Sequence, residues 1–359
     1  MTTRKHRKLT FRILKNQKKS NQETKLINVA VVGATGAVGR EILRELEPVE
    51  GVNVVPFASP RSAGTMLNFR DSTLKVLAFN LEQVVRCDYV LMSAGGAFSK
   101  EVGREIAEKT ILIDNSSAWR MESRVPLVVP EVNGDRLEGF EKGIIANPNC
   151  STIQMVVALK PLKDAYGLRQ VQVATYQSVS GAGQKGIDEL GDQVAQKFKF
   201  QEQIPQKFAK PIAFNVLPAI DVLDPSFHAF EEIKMINETR KILSMERLEV
   251  MATTVRVPVF NCHGEAVTVR LGEEITLQQA QDVFRDAEGI KFYPENDHSM
   301  FPTPLDVEGD GQVHVARVRL PYGSEKSDYV QFWNIADNLK KGAATNAVQI
   351  MELHRQKNS

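Results

Sequence analysis

Residues Ile27 to Leu46 read INVAVVGATGAVGREILREL. An apolar run, three glycines and then apolar residues at helical spacing from Val38 predict a buried strand, a tight turn and a helix. The glycines Gly33, Gly36 and Gly39 give GxxGxxG rather than GxGxxG, but the physics is shared. Glycine admits the turn and lets backbone approach a ligand closely, while the helix N-terminus offers N–H groups and a positive dipole end to a pyrophosphate. The competing reading is a plain strand-to-helix turn. The next strand, Val52 to Ala58, runs into Ser59-Pro60-Arg61-Ser62. An enzyme of NAD usually places Asp or Glu about 20 residues past the glycines, to accept from the ribose 2′-hydroxyl. A guanidinium flanked by hydroxyls instead suits a 2′-phosphate, so NADP is the expected cofactor, against a solvated loop arginine.

Working outward, Asp88 to Ser93 reads as a strand, Gly95-Gly96 as a turn, Ser99 to Lys109 as a helix and Thr110 to Ile113 as a strand. Alternating β and α elements predict an α/β fold of the Rossmann type, a doubly wound parallel sheet. The segment Asp114 to Arg120 leaves a strand's carboxyl end, where such sheets bind ligands. Arg120 there is an anion clamp or a surface arginine.

Gly143 to Lys160, GIIANPNCSTIQMVVALK, carries a short strand into Asn147-Pro148-Asn149-Cys150 and a helix. A cysteine at a helix N-terminus meets unpaired N–H groups and the dipole, which predict a lowered thiol pKa and a thiolate near neutral pH. The same N–H groups can receive an oxyanion. Cys150 is thus the candidate nucleophile, while Cys87 and Cys262 read as buried filler. A thiolate beside NADP points to a thioester or thiohemiacetal that exchanges hydride with nicotinamide.

Leu168 to Ser178 alternates as a strand, ends with Gln177 and empties into Val179-Ser180-Gly181-Ala182-Gly183. Gln177 can orient a substrate amide or carboxylate. Glu231 and Lys234 share a helix face at i and i+3, which by itself reads as a surface ion pair. Arg256 and His263 stand seven apart, on opposite faces of one flat strand unless Asn261-Cys262-His263-Gly264 turns the chain back. With that turn both address one cleft, and His263 is the base candidate, against a structural turn histidine. Val313 to Leu320 and Asp328 to Trp333 predict antiparallel strands of a second, α+β domain.

The 359 residues hold 45 Lys+Arg against 44 Asp+Glu, with 42% hydrophobic and 25% charged, which excludes collagen-like, disordered and disulfide-scaffold classes and allows about two domains. Residues 1 to 26 carry nine basic residues and one acid, leaving 36 basic and 43 acidic beyond them. The body is therefore acidic and no nucleic-acid partner is expected. The basic extension reads as unstructured, without the apolar core of a secretory signal. Charges interrupt every apolar run before the roughly 18 to 20 residues that span a bilayer. Three scattered cysteines without a CxxC pair predict neither a disulfide framework nor a metal site, and suit a reducing cytoplasm.

GATGAVG (33–39), RSAG (61–64), DNSSAWR (114–120), NPNCST (147–152), YQSVSGAG (176–183), EEIK (231–234), RVPVFNCHGEAV (256–267) and DNLKKGAATNAVQI (337–350) together resemble aspartate-β-semialdehyde dehydrogenases, in family order from Ile27 to about Leu353. The resemblance implies Cys150 as acyl-forming nucleophile, His263 as acid/base, and Gln177 and Arg256 as substrate ligands. It implies Arg120 and Lys234 for phosphate and Glu231 for the substrate amine. Thr35, Gly36, Ala37, Val38, Arg61, Ser62, Ser180, Gly181 and Asn338 would hold NADP, with Gly33 and Ser59 beside them. The implied reaction interconverts 4-phosphoaspartate and aspartate semialdehyde, feeding lysine, methionine and threonine. Residues 27–150 with 338–359 would bind NADP, and 151–337 would form the catalytic and dimerisation domain of a homodimer. One departure stands out: the family's usual Ser after the histidine is Gly264 here. Two rivals are an N-acetyl-glutamyl-phosphate reductase and a catalytically idle NADP sensor.

Overall fold

The structure is a computed structural model that describes residues 26–358. The extension expected as unstructured lies, but for Leu26, outside the described residues.

The Ile27–Val32 run forms β1, followed by β2 (Val52–Ala58), a small hairpin of β3 (Met66–Phe69) and β4 (Ser72–Lys75), β5 (Leu77–Ala78), β6 (Tyr89–Met92), β7 (Ile111–Asp114) and β8 (Gly143–Ala146). Six of these make a parallel sheet in the order β5-β2-β1-β6-β7-β8. Every residue of β6 and β7 is buried, as expected for strands covered on both faces. The chain moves from β1 outward through β2 and β5, then returns to β6 on the other side of β1. The carboxyl ends of β1 and β6 therefore bound the switch-point crevice. Gly33 sits there at φ +87°, and a Cβ on it would lie 2.3 Å from the Ser93 carbonyl oxygen. A Cβ on Gly39 would lie 2.1 Å from the Gly33 oxygen, so only glycine lets helix Ala37–Leu46 pack onto the turn.

The second sheet is mixed: β9 (Leu168–Gln177), β10 (Glu249–Arg256), β11 (His263–Thr276), β12 (Ile290–Tyr293), β13 (Val313–Arg319) and β14 (Lys326–Ala336), in the order β10-β9-β11-β14-β13-β12. The expected antiparallel pair is β13 and β14. One face carries Val171, Val173, Val267, Val269, Val330 and Phe332, in one core with helices Cys150–Tyr166, Phe230–Leu243 and Leu277–Arg285. The opposite face presents Gln172, Ala174, Tyr176, Ala266 and Thr268, all exposed or half-buried.

Helix Cys150–Tyr166 leads from the first sheet into the second and is buried around most of its circumference, because it packs on β9, β11, β13 and β14 and is flanked by helices Phe230–Leu243 and Leu277–Arg285. Helix Thr345–Lys357, entered through a single π turn at Lys340–Ala344, returns to the first sheet, where Ala347, Ile350 and Met351 share a core with Val29 and Leu46.

Candidate active site

Strand register assembles the first row of the site. Gln177, last in β9, pairs with Arg256, last in β10, and with His263, first in β11. The seven-residue spacing of Arg256 and His263 is resolved because they lie on different strands with Gln177 between them. Cys262, at φ +70°, closes the reversal. Facing this row is Cys150, first residue of its helix. A cleft of about 340 Å³ is lined by Cys150, Gln177, Glu231, Lys234 and Arg256 on the second-sheet side, and by Val38, Ser93, Gly95 and Arg120 from the dinucleotide side. Ser180, Gly181 and Asn338 also line it. His263 stands behind Gly181, where an added Cβ would lie 3.1 Å from His263 Nε2 and 2.9 Å from Arg256 Nη1. The missing side chain at 181 is what lets both groups lie this close beneath the loop, Arg256 lining the cleft and His263 fully buried behind it.

The expected low thiol pKa is not what the structure gives. Burial and the Glu231 carboxylate push Cys150 up to about 12, against the pull of Arg256, Arg120 and the Ser151 N–H. The helix N-terminus is indeed there, capped by Asn149 Oδ1, which accepts from the N–H groups of Ser151 (3.0 Å) and Thr152 (3.3 Å). Around this partly open residue, desolvation of the thiolate together with the Glu231 carboxylate outweighs it, so the shift runs upward rather than downward.

His263 is neutral. Burial and the neighbouring Arg256 charge pull it down to about 3. Its Nδ1 accepts from the Ser178 N–H at 3.1 Å, which assigns the ring proton to Nε2. Nε2 is buried with no hydrogen-bond partner among the described residues, a donor left unused. Gly264, in place of the usual serine, has a steric reason: a Cβ there would lie 2.3 Å from the Trp333 ring. Ser178 supplies the orienting contact to Nδ1, its hydroxyl also at 3.1 Å.

The pair Glu231–Lys234 is not the surface ion pair that spacing alone suggested, for the Glu231 residue is only 5% exposed. Its Oε1 accepts from Asn149 Nδ2 (2.9 Å) and Gln177 Nε2 (3.2 Å), and Lys234 Nζ reaches Oε2 at 3.1 Å. Burial opposes its ionisation, but Lys234 and these donors outweigh it and hold the carboxyl below its ordinary range. Lys234 also contacts Asp221 at 3.0 Å; the two acids overcome its burial and raise its pKa. Arg120 is buried too, donating to the carbonyls of Asn147 (2.9 Å) and Asn115 (2.8 Å) and to Glu238 Oε1 (3.0 Å). A guanidinium has five N–H groups, so two remain for an anion in the cleft.

Glu238 and Asn149 were not singled out from the sequence. Glu238 joins Arg120 to the backbone just before Cys150, accepting from the Asn149 N–H at 2.7 Å. The signal was present: Glu231, Lys234 and Glu238 fall at i, i+3 and i+7, one helix face. Asn149 reads as an N-cap, whereas its second bond to Glu231 depends on tertiary packing.

The dinucleotide side fits an extended anionic ligand. Helix Ala37–Leu46 starts at Gly36 with no side-chain cap and no acid in its first turn, leaving its N–H groups to a phosphate. Thr35, Gly36 and Ala37 are exposed or half-buried at this turn. Ser59, Arg61 and Ser62 stand at the carboxyl end of β2 and do not line the 340 Å³ cleft, so a ligand touching both must run along the sheet edge. Asn338 is a hub, its Oδ1 accepting from the Cys262 N–H (2.9 Å) and from the hydroxyls of Ser178 (3.1 Å) and Ser180 (3.2 Å). Among the described residues no group of three or more His, Cys, Asp or Glu is placed to hold a metal, and no helix is long and apolar enough to cross a membrane.

A Rossmann-type dinucleotide domain, joined to a mixed-sheet domain with a cysteine at the seam, defines a two-domain nicotinamide-dependent dehydrogenase. The chain belongs to the semialdehyde dehydrogenase family: residues 28–140 match the family's NAD binding domain and residues 159–341 its dimerisation domain. It is 47% identical over 333 residues to the aspartate-semialdehyde dehydrogenase of Aquifex aeolicus, covering 90% of this chain and 97% of that one. To the Bacillus subtilis aspartate-semialdehyde dehydrogenase it is 42% identical over 337 residues, 91% and 96% of the two chains. A crystal structure of aspartate semialdehyde dehydrogenase II from Vibrio cholerae, complexed with ASA, superposes with TM-score 0.88 at 41% identity, covering 93% of this chain and 100% of that one.

Proposed function

We propose that this protein catalyses the reversible, NADP-dependent reductive dephosphorylation of 4-phospho-L-aspartate to L-aspartate 4-semialdehyde through a thioester on Cys150. The observation that carries the reading is one cleft with groups of both signs around a thiol. Arg256 takes the substrate carboxylate, Glu231 the amine, and Arg120 with Lys234 the phosphate. The activity named for the relatives supports the same substrate. In this reading Cys150 Sγ attacks the acyl carbon, the carbon–oxygen bond to phosphate breaks, and the thiol proton leaves with the phosphate. Gln177 orients the acyl group, and His263 donates from Nε2 to its carbonyl oxygen. Gly33, Thr35 to Val38, Ser180 and Gly181 would hold the dinucleotide, which when bound would supply hydride to the acyl carbon; the carbon–sulfur bond then breaks, freeing the aldehyde, and Cys150 Sγ regains a proton. Residues 27–150 with 338–359 serve as the cofactor domain and 151–337 as the catalytic domain, working in the cytoplasm in lysine, methionine and threonine biosynthesis. A second copy covers the open face of the mixed sheet around Ala174, Tyr176 and Ala266, making a homodimer.

The N-acetyl-glutamyl-phosphate reading is disfavoured by Glu231, a buried carboxylate held ionised in the cleft. An acylated amine carries no charge to meet it. The idle-sensor reading leaves the converging clamps without a ligand.

Arg120→Ala is expected to raise the KM for phosphate in the oxidative assay at least about tenfold, the scale of one lost charge-assisted contact, and to change that for the semialdehyde far less. Initial rates against each substrate check it, and equal increases would overturn the assignment of the two anion sites. Arg61→Ala is expected to weaken NADPH binding by roughly ten- to hundredfold while leaving NADH binding nearly unchanged, because an exposed arginine at the end of β2 would read only the 2′-phosphate. Titrating both cofactors decides it, and equal losses would remove Arg61 from that role.

A further inference from the structure

A second cavity opens at the amino ends of β9 and β10, the opposite end of these strands from Gln177 and Arg256. Its volume of about 1070 Å³ exceeds the 340 Å³ of the cleft. Arg136, Arg169, Arg240, Lys241 and Arg247 line it against a single acid, Glu246. Among the described residues none of the five has a carboxylate within 4.0 Å. The chain beyond residue 26 carries 43 acidic residues against 36 basic ones, so composition alone does not gather five unpaired cations around one acid. Helix Phe230–Leu243 accounts for two of them, since Arg240 and Lys241 stand in its last turn, where cations suit the negative end of the dipole. Arg136, Arg169 and Arg247 come from three other segments, and bringing them to the same cavity costs repulsion that one glutamate only partly offsets.

Three of the guanidiniums are already oriented. Arg136 donates from Nη2 to Ser244 Oγ at 2.8 Å, Arg240 from Nε to the Leu248 carbonyl at 2.9 Å, and Arg169 from Nη2 to the Gly272 carbonyl at 2.8 Å. Each spends one of its five N–H groups, and Arg247 spends none, so most of their donors stay available. Lys241 differs. Its Nζ donates to the carbonyls of Arg120 (2.6 Å), Glu122 (2.8 Å) and Val125 (2.8 Å), so it offers the cavity charge rather than contacts. Burial and the Arg136 charge hold the Lys241 pKa below its ordinary range, against Glu238 and Glu122, and an anion in the cavity relieves the repulsion between the two cations. Leu168, Met245 and Leu248 add an apolar part to the wall. Among the described residues no aromatic side chain lines it, so it has no platform on which a base could stack.

We propose that this cavity binds a small molecule carrying two or more negative charges on a short aliphatic body, a phosphate ester or a polycarboxylate, whose oxygens the four arginines share. A guanidinium fork matches the oxygens of either group, and forks arriving from four segments match several charges at once. The site is separate from the cleft, although Arg120 borders both, its side chain lining the cleft and its carbonyl bonded to Lys241.

Isothermal titration calorimetry with inorganic pyrophosphate, citrate and acetate tests the proposal. Excess NADP fills the dinucleotide turn, and an Arg120→Ala background removes the anion clamp of the cleft. Pyrophosphate or citrate should bind at least about tenfold tighter than acetate, and the tighter of the two separates phosphate ester from polycarboxylate. Arg169→Ser with Arg247→Ser should weaken that binding at least about tenfold, the scale of a lost charge-assisted contact. Both side chains are exposed, so the melting temperature should stay in place. Arg136→Ser alone should give a loss of the same kind, and it judges the site should the pair fail to fold. Lys75→Ser with Lys109→Ser removes the same charge from exposed positions elsewhere and should leave binding within about twofold. Unchanged binding in the arginine variants, an equal loss in the lysine pair, or acetate as tight as the polyanions overturns the proposal. So does a single-stranded oligonucleotide that displaces pyrophosphate at lower concentration than citrate does, which would assign the surface to nucleic acid.

Discussion

Cys150→Ala will give a folded protein that binds NADP and turns over at least about 10⁴-fold more slowly, the scale seen when a covalent nucleophile is removed. The cofactor turn is built from Gly33, Gly36 and Gly39, and nothing in it contacts the Sγ, so cofactor affinity has no reason to change. Helix Cys150–Tyr166 keeps its Asn149 cap and its buried flank, so stability should move little. Two measurements on the purified variant check this: kcat in either direction, and NADPH binding by fluorescence. Turnover within tenfold of the parent would eliminate the thioester. The raised thiol pKa adds a condition. With its pKa raised, Cys150 should be alkylated by iodoacetamide slowly at neutral pH and faster as the solution becomes alkaline. A nucleophile in this state depends on the leaving group, or on charge arriving with the substrate, to take its proton.

Arg256→Ala is the second large effect, expected to lower kcat/KM by about 30- to several-thousand-fold in both directions, corresponding to roughly 2 to 5 kcal/mol for one partner of a buried charge pair. Arg256 donates to the Ser178 carbonyl at 2.6 Å and lies against Gly181, so its guanidinium is held before substrate arrives. The substrate carboxylate is present in every step, which is why both directions suffer, unlike the phosphate-specific loss at Arg120. Arg256→Lys should recover little, since an ammonium cannot give a two-pronged contact and a buried lysine sheds its proton more readily. Initial rates in both directions measure it, and recovery by lysine to within a few fold would contradict carboxylate binding at this position.

The first sheet was legible because its signals are local. An apolar run, a glycine turn and a helical period all lie within Ile27 to Leu46, and each such unit predicts its own neighbours. The second sheet depends on pairings across tens of residues, so the turn at Asn261 to Gly264 brings Arg256 and His263 toward one cleft, while the strand of Gln177 between them is not legible in the sequence. Candidate residues emerged where chemistry and spacing coincide, as at Cys150 after Asn149 or Glu231 before Lys234. Their electrostatics did not follow. A helix N-terminus lowers a thiol's pKa in water, but sequence carries no measure of how dry the cleft is or that Glu231 faces it. Glu238 stayed hidden for the same reason: it looks like an ordinary polar residue until packing buries it.

The most direct measurement is NADPH consumption with 4-phospho-L-aspartate beside N-acetyl-glutamyl phosphate, at equal concentrations and with Glu231→Gln run in parallel. The account predicts rapid oxidation of NADPH with the aspartyl substrate, release of one phosphate per hydride transferred, little rate with the acetylated homologue, and a narrowed preference in the variant. Comparable rates with both substrates, or a higher rate with the acetylated one, would contradict it.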